Sequence, residues 1–407
     1  MSSHDAPTPP ADRAAGGLDR NVVALGFTSL FTDVSTEMLV PILPLFITAT
    51  LGASATSLGV IEGVAECVAS VLRTTSGWLS DRIGRRKPFL VSGYGLSGAA
   101  KAMIGLAANW PAVLALRVAD RFGKGLRGPP RDALIADSVP RASLGRAFGL
   151  HRAMDTTGAA IGPLVAWWLL GRWHELGAEG YRRIFLVSAI PATLSVLVLL
   201  AFVRAPRHAS SPRRTLSEHR GALGGVFARF VMVDTLFQLG NSSNAFVLLR
   251  TQGAGWSASQ VALVYVGFNL VMATLAYPFG HLSDRVGRRP LLIAGYLLYA
   301  GVYALLATHA TRWGVVVAFL LLGAQTALVD GQARALIARL VPGGSRATAF
   351  GVHATATGLA LLPASAAAGW LWDHRGPGMM FGVDAGVALA AALALAITLT
   401  PREETRA

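Results

Sequence analysis

Charge is scarce in this chain and cysteine is nearly absent. Of 407 residues 14% are charged and 53% hydrophobic, against about 25% charged in an ordinary soluble domain. Water is therefore not its main solvent. Cys67 is the only cysteine, which excludes an intramolecular disulfide and a cysteine-based metal cluster. Acids are fewer than bases, 22 against 36, giving a net charge of +14. The arginines recur in short clusters between apolar stretches and not along one polar face, so nucleic-acid binding is not expected. No H-E-x-x-H or G-x-S-x-G occurs, and the nine histidines lack ligand spacing. Gly123-Lys124 is followed by Gly125 where a phosphate loop needs Ser or Thr. Neither catalysis, a metal site nor a bound cofactor is expected.

What the chain has instead is long apolar runs. A membrane span needs about 20 mostly apolar residues. Twelve are counted, over 21–47, 57–79, 88–107, 111–137, 144–170, 182–203, 224–250, 257–282, 289–308, 312–339, 347–371 and 377–399. Residues 1–20 are polar, contain Pro7, Pro9 and Pro10, and lack the apolar region of a signal peptide, so they read as a cytoplasmic tail. A second tail follows over 400–407. The longest internal polar stretch, Arg204 to Arg220 with Pro206, Ser210, Ser211 and Pro212, reads as a linker over 204–223 between bundles at 21–203 and 224–399. Lys and Arg crowd alternate loops: Arg82, Arg85, Arg86 and Lys87, then Arg141 and Arg146, then Arg204 to Arg220, then Arg285, Arg288 and Arg289. Both termini are accordingly expected in the cytoplasm. The loop with Arg172, Arg182 and Arg183 departs from that bias.

The chain repeats itself. Gly77-Trp-Leu-Ser-Asp81-Arg82-Ile-Gly84-Arg85-Arg86 returns as Gly280-His-Leu-Ser-Asp284-Arg285-Val-Gly287-Arg288-Arg289, 203 positions on. Ala133-Leu-Ile-Ala-Asp137-Ser-Val-Pro140 returns as Ala335-Leu-Ile-Ala-Arg339-Leu-Val-Pro342. Parallel six-span repeats place a binding site near the bilayer midplane between the halves, and rocking of one half on the other alternates its access.

The G-x-x-x-D-R-x-G-R-R loop resembles the signature of the major facilitator superfamily, and span count, halves and both loops extend the resemblance over nearly the whole chain. The resemblance implies an all-α membrane protein of 12 transmembrane helices in two pseudo-symmetric six-helix bundles. It also implies a conformational latch at Gly77, Asp81, Arg82, Gly84, Arg85 and Arg86, repeated at Gly280, Asp284, Arg285, Gly287, Arg288 and Arg289. Physically, Asp81 at a helix end can accept from a neighbouring helix N-terminus, and Arg85 can bridge to Asp137 at the end of span 4. The plainer alternative is a positive-inside anchor.

A charge at the bilayer centre costs at least about 2.5–3.5 kcal/mol, so such residues face a cavity and have partners. Asp33 and Glu37, four apart, share one face of span 1, and Glu62 and Glu66 repeat the spacing in span 2 with Arg73 beyond them. Protonating a desolvated carboxylate removes a buried charge, the chemistry that proton coupling needs. Span 4 carries Arg117, Arg121, Lys124, Arg127 and Arg131 in one stripe that must meet acids or an anion. Over the first five spans the acids Asp33, Glu37, Glu62, Glu66, Asp120, Asp132, Asp137 and Asp155 and the bases Arg73, Arg117, Arg121, Lys124, Arg127, Arg131 and Arg152 invite internal pairing; structural ion pairs are the bland alternative for each. Pro129, Pro130 and the intervening acids argue against a voltage sensor. Arg121 and Gly125 are similar to the superfamily's span-4 motif, whose arginine is associated with proton transfer. Gly158-x-x-x-Gly162-Pro163 is similar to its antiporter motif, although Ala166 and Trp167 replace the final glycines. These residues form a candidate hinge, with helix packing as the alternative.

The second half is less charged within its spans, with Asp234 in span 7, Asp330 in span 10, His353 in span 11 and Asp384 in span 12 among its titratable groups. The substrate contacts expected are Gln238, Asn241, Asn244 and Gln325, with Arg117 and Lys124 opposite and Phe237, Phe246, Tyr265 and Phe268 as apolar walls. The expectation as a whole is an inner-membrane secondary transporter, more an efflux antiporter than an uptake symporter. Its partners would be lipid, protons and a small solute. The proton-motive force would be its only energy source, and oligomerisation would not be required. A non-transporting receptor on the same fold is the rival from another class.

Overall fold

The computed structural model describes residues 19–139, 144–204, 224–308, 311–341 and 346–399. Both expected tails and nearly all of the linker lie outside the described residues. Among the described residues the regular structure is helical throughout.

All twelve expected spans are present. Span 1 is Arg20–Glu37, continued after a break at 38–42 by Leu43–Leu45 and a π-helical turn Phe46–Thr50. Span 2 is Ala55–Ile83, span 3 Lys87–Ile104, span 4 Trp110–Asp137 and span 5 Leu144–Arg172. Span 6 is Ala178–Val187 with Ala189–Phe202, and span 7 is Val226–Leu239 with Asn244–Gly253. Span 8 is Ala258–Val286, span 9 Arg288–Thr308 and span 10 Arg312–Leu340. Spans 11 and 12 run within Arg346–Thr398 and part at Gly376, whose φ of +82° only glycine adopts easily. Polar caps start several spans: Ser54 accepts from the Ser57 N–H, Asn109 from Ala112, Thr311 from Gly314, and Ser257 forms a capping box with Gln260.

Among the described residues six stretches are long and apolar enough to cross a membrane by composition alone, the last of them, Ala349–Thr398, covering two spans. Span 4 fails that measure because it carries its charges inside the protein: Arg117, Asp120, Arg121 and Arg127 are all buried. Large apolar side chains instead point outward, among them Trp168, Ile190, Met232, Trp313 and Ile397. That is the inversion expected when lipid is the solvent.

The breaks in spans 1 and 7 occupy corresponding places in the two halves. Pro41 and Pro44 remove backbone donors at the first. At the second, Asn241, Ser242 and Ser243 offer the backbone local hydrogen bonds in place of helical ones.

Arg20 and Thr398 lie on one side of the bundle, called here the terminal side; the opposite side is the far side. The halves meet along spans 2 and 11 and along spans 5 and 8. Small residues bring the first pair into backbone contact. A Cβ on Gly59 would stand 2.0 Å from the Ser365 carbonyl oxygen, one on Gly63 2.9 Å from the Leu362 Cα, and one on Gly369 2.3 Å from the Ala55 carbonyl oxygen. At the far end Asp373 accepts hydrogen bonds from the Ala55 N–H (3.0 Å), the Thr56 N–H (2.8 Å) and the Thr56 hydroxyl (2.5 Å). It thereby caps span 2 from the other half. Burial pushes the Asp373 carboxyl up, but the bonds from Thr56 and Ala55 outweigh it and hold the group below the usual carboxylate range. These contacts run from mid-membrane to the far side, so this conformation is closed to the far side.

Candidate functional site

The acids and bases of the first half do face one another. Glu62 accepts from Nε and Nη2 of the Arg117 guanidinium, at 2.9–3.2 Å, and Arg117 donates to Asp120 from Nη1 at 2.9 Å. Asp120 in turn accepts from the Ser97 hydroxyl at 2.6 Å. One turn nearer the terminal side, Glu66 lies 3.7 Å from Arg121 and 3.3 Å from Arg73. Arg127 covers the Tyr94 ring at 4.2 Å, and Arg131 pairs with Asp132 at 2.9 Å. Lys124 lies within electrostatic reach of Asp33, Glu37 and Glu66. Arg117, expected to touch substrate, is thus occupied by two carboxylates, because the stripe meets enough acid inside its own half.

Asp33 and Glu37 differ from the span-2 acids. Among the described residues neither forms an ion pair, whereas Glu62 and Glu66 both do. Glu37 instead accepts a hydrogen bond of 2.9 Å from the Tyr265 hydroxyl of span 8, across the boundary between the halves. Asn269, one turn on, donates to the Ala159 carbonyl of span 5 at 3.3 Å. Tyr265, expected as an apolar wall, therefore contributes its hydroxyl as well as its ring, which stacks on Phe268 at 5.7 Å.

A cavity of about 190 Å³ lies between the halves, lined by Glu62 and Glu66 on one wall and by Asn241, Ser242, Ser243, Asn244, Leu361 and Ser365 on the other. The break in span 7 builds much of the second wall, because its unwound residues Asn241, Ser242 and Ser243 line the cavity beside Leu361 and Ser365 of span 11. Asn241 donates to Gln238 at 2.8 Å, which fixes one amide for the other. Gln325 does not join them; it is buried in span 10 and absent from the cavity wall.

The comparisons with known proteins fit this geometry. The family profile described as Major Facilitator Superfamily matches residues 25–239 and 230–407. The chain belongs to the Major Facilitator Superfamily. An MFS-type transporter of Methanocaldococcus jannaschii is 34% identical over 384 residues, 93% of this chain and 94% of that one. The multidrug resistance protein MdtG of Escherichia fergusonii is 26% identical over 321 residues, 75% of this chain and 76% of that one. The crystal structure of the nucleoside transporter NupG superposes with a TM-score of 0.80 at 13% identity, over 93% of this chain and all of that one. The protein is thus a multi-pass membrane transporter that lies in the lipid bilayer and takes a small-molecule substrate.

Within this MFS frame the two signature loops are not equivalent. Gly84, at φ +68°, ends span 2 in the left-handed region and turns the chain sharply. Arg85 is left exposed, and Arg86, which opens span 3, pairs with Asp137 at the end of span 4. The bridge expected from Arg85 is therefore made by its neighbour, because the turn swings the second arginine beneath span 4. Gly77 faces Pro129 of span 4, where a Cβ would come within 3.2 Å, whereas around Gly280 nothing lies within 4 Å. In the second half Arg339 replaces Asp137, and Arg289 donates to the Ala396 carbonyl at 2.6 Å, at the end of span 12. Arg82 and Arg285 are exposed, and Gly287 ends span 8 at φ +89°. The side chains of Asp81 and Asp284 lie outside the described residues.

The glycines of the candidate hinge lie on a packing face. A Cβ on Gly158 would stand 2.5 Å from the Leu30 carbonyl oxygen, and one on Gly162 2.8 Å from the Met38 N, so span 5 lies directly on span 1 beside Asp33 and Glu37. Pro163 lies inside a span that continues to Arg172. Sequence reasoning missed Lys101, which is buried and donates to Thr36 at 2.8 Å; a lysine in the apolar run of span 3 was the available signal. It also missed Asn269, Asp373 and the pairing of Asp234 with His353, whose partners come from distant parts of the chain.

Proposed function

We propose that this MFS protein is an inner-membrane, proton-coupled antiporter that exports a small organic solute by alternating access, with the terminal side in the cytoplasm. The observation that carries the reading is the Tyr265 to Glu37 hydrogen bond. It ties an acid with no ion-pair partner to the contacts that close the far side. A donor bond to a charged carboxylate is about twice as strong as one to a neutral acid. Relative to a far-open conformation that lacks this bond, the conformation closed to the far side favours Glu37 without its proton, and it is this conformation that offers the cavity to a cytoplasmic solute. On the far-open side protonation of Asp33 and Glu37 removes their charge and permits the return.

In this reading Arg121, Arg73 and Lys124 transmit the charge change to Glu66, which shares the cavity wall with the amides that orient the solute. Glu62 and Arg117 hold that wall rigid. At about 190 Å³ the cavity is smaller than a drug-sized pocket of about 300–1,000 Å³, so it fits a small polar solute in this conformation and a larger one after opening. Export is supported by the span-5 motif and by the multidrug resistance protein among the relatives. Each chain holds a full pathway, and the proton gradient supplies the energy without a cofactor.

The test is pH change inside proteoliposomes containing the purified protein, screened against a compound panel. Antiport predicts that an outward-moving compound drives protons the opposite way, and that Asp33→Asn and Glu37→Gln abolish the exchange. Movement of both in one direction would replace export by symport. Binding without any flux, unaffected by either substitution, would favour the receptor.

A further inference from the structure

The second half contains a polar cluster that the transport cycle described above leaves unused. Asp234 of span 7 is buried, and its two oxygens have separate partners. Oδ2 lies 2.6 Å from His353 Nε2 of span 11, and Oδ1 accepts a short hydrogen bond from the Tyr296 hydroxyl of span 9. Phe237 stacks on Tyr296 with ring centroids 4.0 Å apart, and Phe230 lies parallel to the His353 ring at 6.2 Å. Asp234 and His353 are each about two turns from the terminal end of their span, on the side away from the far-side seal.

The first half holds the same cluster with different chemistry. Tyr94 and His151 correspond to Tyr296 and His353, each pair 202 positions apart. They meet at Ser29, whose hydroxyl lies 2.8 Å from His151 Nε2 and 3.4 Å from the Tyr94 hydroxyl. Arg131 also reaches Ser29, at 3.3 Å. The repeat therefore built a tyrosine–span 1/7–histidine junction twice. In the second copy the Asp234 carboxylate stands between tyrosine and histidine; in the first Ser29 stands there, Asp155 lies 3.5 Å from His151 Nδ1 on the same span, and a guanidinium is against the junction.

We infer that Asp234 and His353 form a second proton-binding site, distinct from Asp33 and Glu37 and confined to the second half. With a neutral imidazole the pair holds one proton between them and carries one negative charge. A further proton taken from water at the other imidazole nitrogen gives an imidazolium beside a carboxylate, neutral overall, and release returns it to water. The His353 side chain is 16% exposed against 3% for Asp234, so the imidazole is the member of the pair that water reaches. The charged group within electrostatic reach of Asp234 is Asp330 on span 10, which is itself within reach of Arg334 on the same span and Arg152 on span 5. Arg229, on the same span, is turned to the Thr398 carbonyl at 2.8 Å, and Asp384 of span 12 belongs to the Tyr299 and Tyr303 group. No arginine in the second half takes the place of Arg131 against the cluster among the described residues. The use of this proton in transport rests on the proton-coupled reading above; its binding does not.

The test is a histidine titration. The full chain, labelled with carbon-13 histidine in lipid nanodiscs and free of any solute, is followed by NMR from about pH 5 to about pH 8, the range in which histidine changes charge. His353→Gln assigns the resonance by its disappearance. The site predicts that this resonance titrates and that Asp234→Asn lowers its midpoint, because the carboxylate favours the imidazolium. Tyr296→Phe, which keeps the ring on Phe237, should raise the midpoint by about one pH unit, the order expected for losing one hydrogen bond to a charged group. A resonance that does not titrate, or one whose midpoint Tyr296→Phe leaves unchanged, would make the cluster structural and overturn the inference. Because no gradient or solute is used, failure here leaves coupling at Asp33 and Glu37 intact, and failure of exchange in proteoliposomes leaves this titration intact.

Discussion

The two halves share a fold and divide the chemistry. In the first half the interior is stitched by ions: Arg117 between Glu62 and Asp120, Arg121 and Arg73 on Glu66, Arg86 on Asp137. In the second it is built from rings and hydroxyls, with Phe237 stacked on Tyr296, Tyr299 on Tyr303 and Tyr299 donating to the Gly240 carbonyl at 3.0 Å. A duplicated architecture constrains where helices cross and where spans 1 and 7 unwind. It does not constrain what fills the interior, and the Arg339 that replaces Asp137 marks that freedom in a single position.

The largest expected difference follows from that division. Arg117→Met leaves the buried Asp120 and the half-buried Glu62 without their cation, which should cost about 3–5 kcal/mol. Tyr299→Phe leaves one carbonyl unpaired and should cost about 1–3 kcal/mol. Denaturant unfolding of the two purified variants in detergent measures both, and equal losses would mean that the halves are stabilised alike. A smaller contrast separates the signature loops. Gly77→Ala pushes against Pro129 and should cost about 1–3 kcal/mol as overpacking, while Gly280→Ala has open space and should be neutral or slightly stabilising as a helix substitution. Similar losses at both would show that the loops are equivalent after all.

The smallest effect concerns Asp373, which spans the boundary at the far surface. The Asp373 carboxyl is held below its ordinary value of about 4 by Thr56 and Ala55. A depressed carboxyl contributes fully above its unfolded value and loses that contribution as pH falls through the folded one. Spin-label distances between the far ends of spans 2 and 11 should therefore lengthen on acidification in the wild type, and Asp373→Asn should be longer at neutral pH and insensitive to acid. Identical acid responses would remove Asp373 from the seal.

Much of this was legible beforehand, for physical reasons. Apolar length reveals spans directly, and twelve emerge close to their observed limits because lipid leaves the backbone few alternatives to helix. The near balance of acids and bases in the first five spans already implied pairing. Which partner each charge takes was not legible: Arg86 and not Arg85 reaches Asp137, a choice made by the left-handed turn at Gly84. Nor was the inter-half bond from Tyr265, because a tyrosine in an apolar run looks like packing until its hydroxyl is placed against Glu37. The glycines at 158 and 162 carried two readings, and the contact with span 1 supplies the packing one.

The central claim is that solute and proton exclude one another through the first half. It is tested most directly by proton release on binding. The detergent-solubilised protein, in weakly buffered solution, is mixed with a compound identified in the liposome screen while pH is recorded. The account predicts that protons are released on binding by the wild type and that Glu37→Gln releases fewer or none while still binding the compound. Release that is unchanged in Glu37→Gln and Asp33→Asn, or proton uptake on binding, would contradict it.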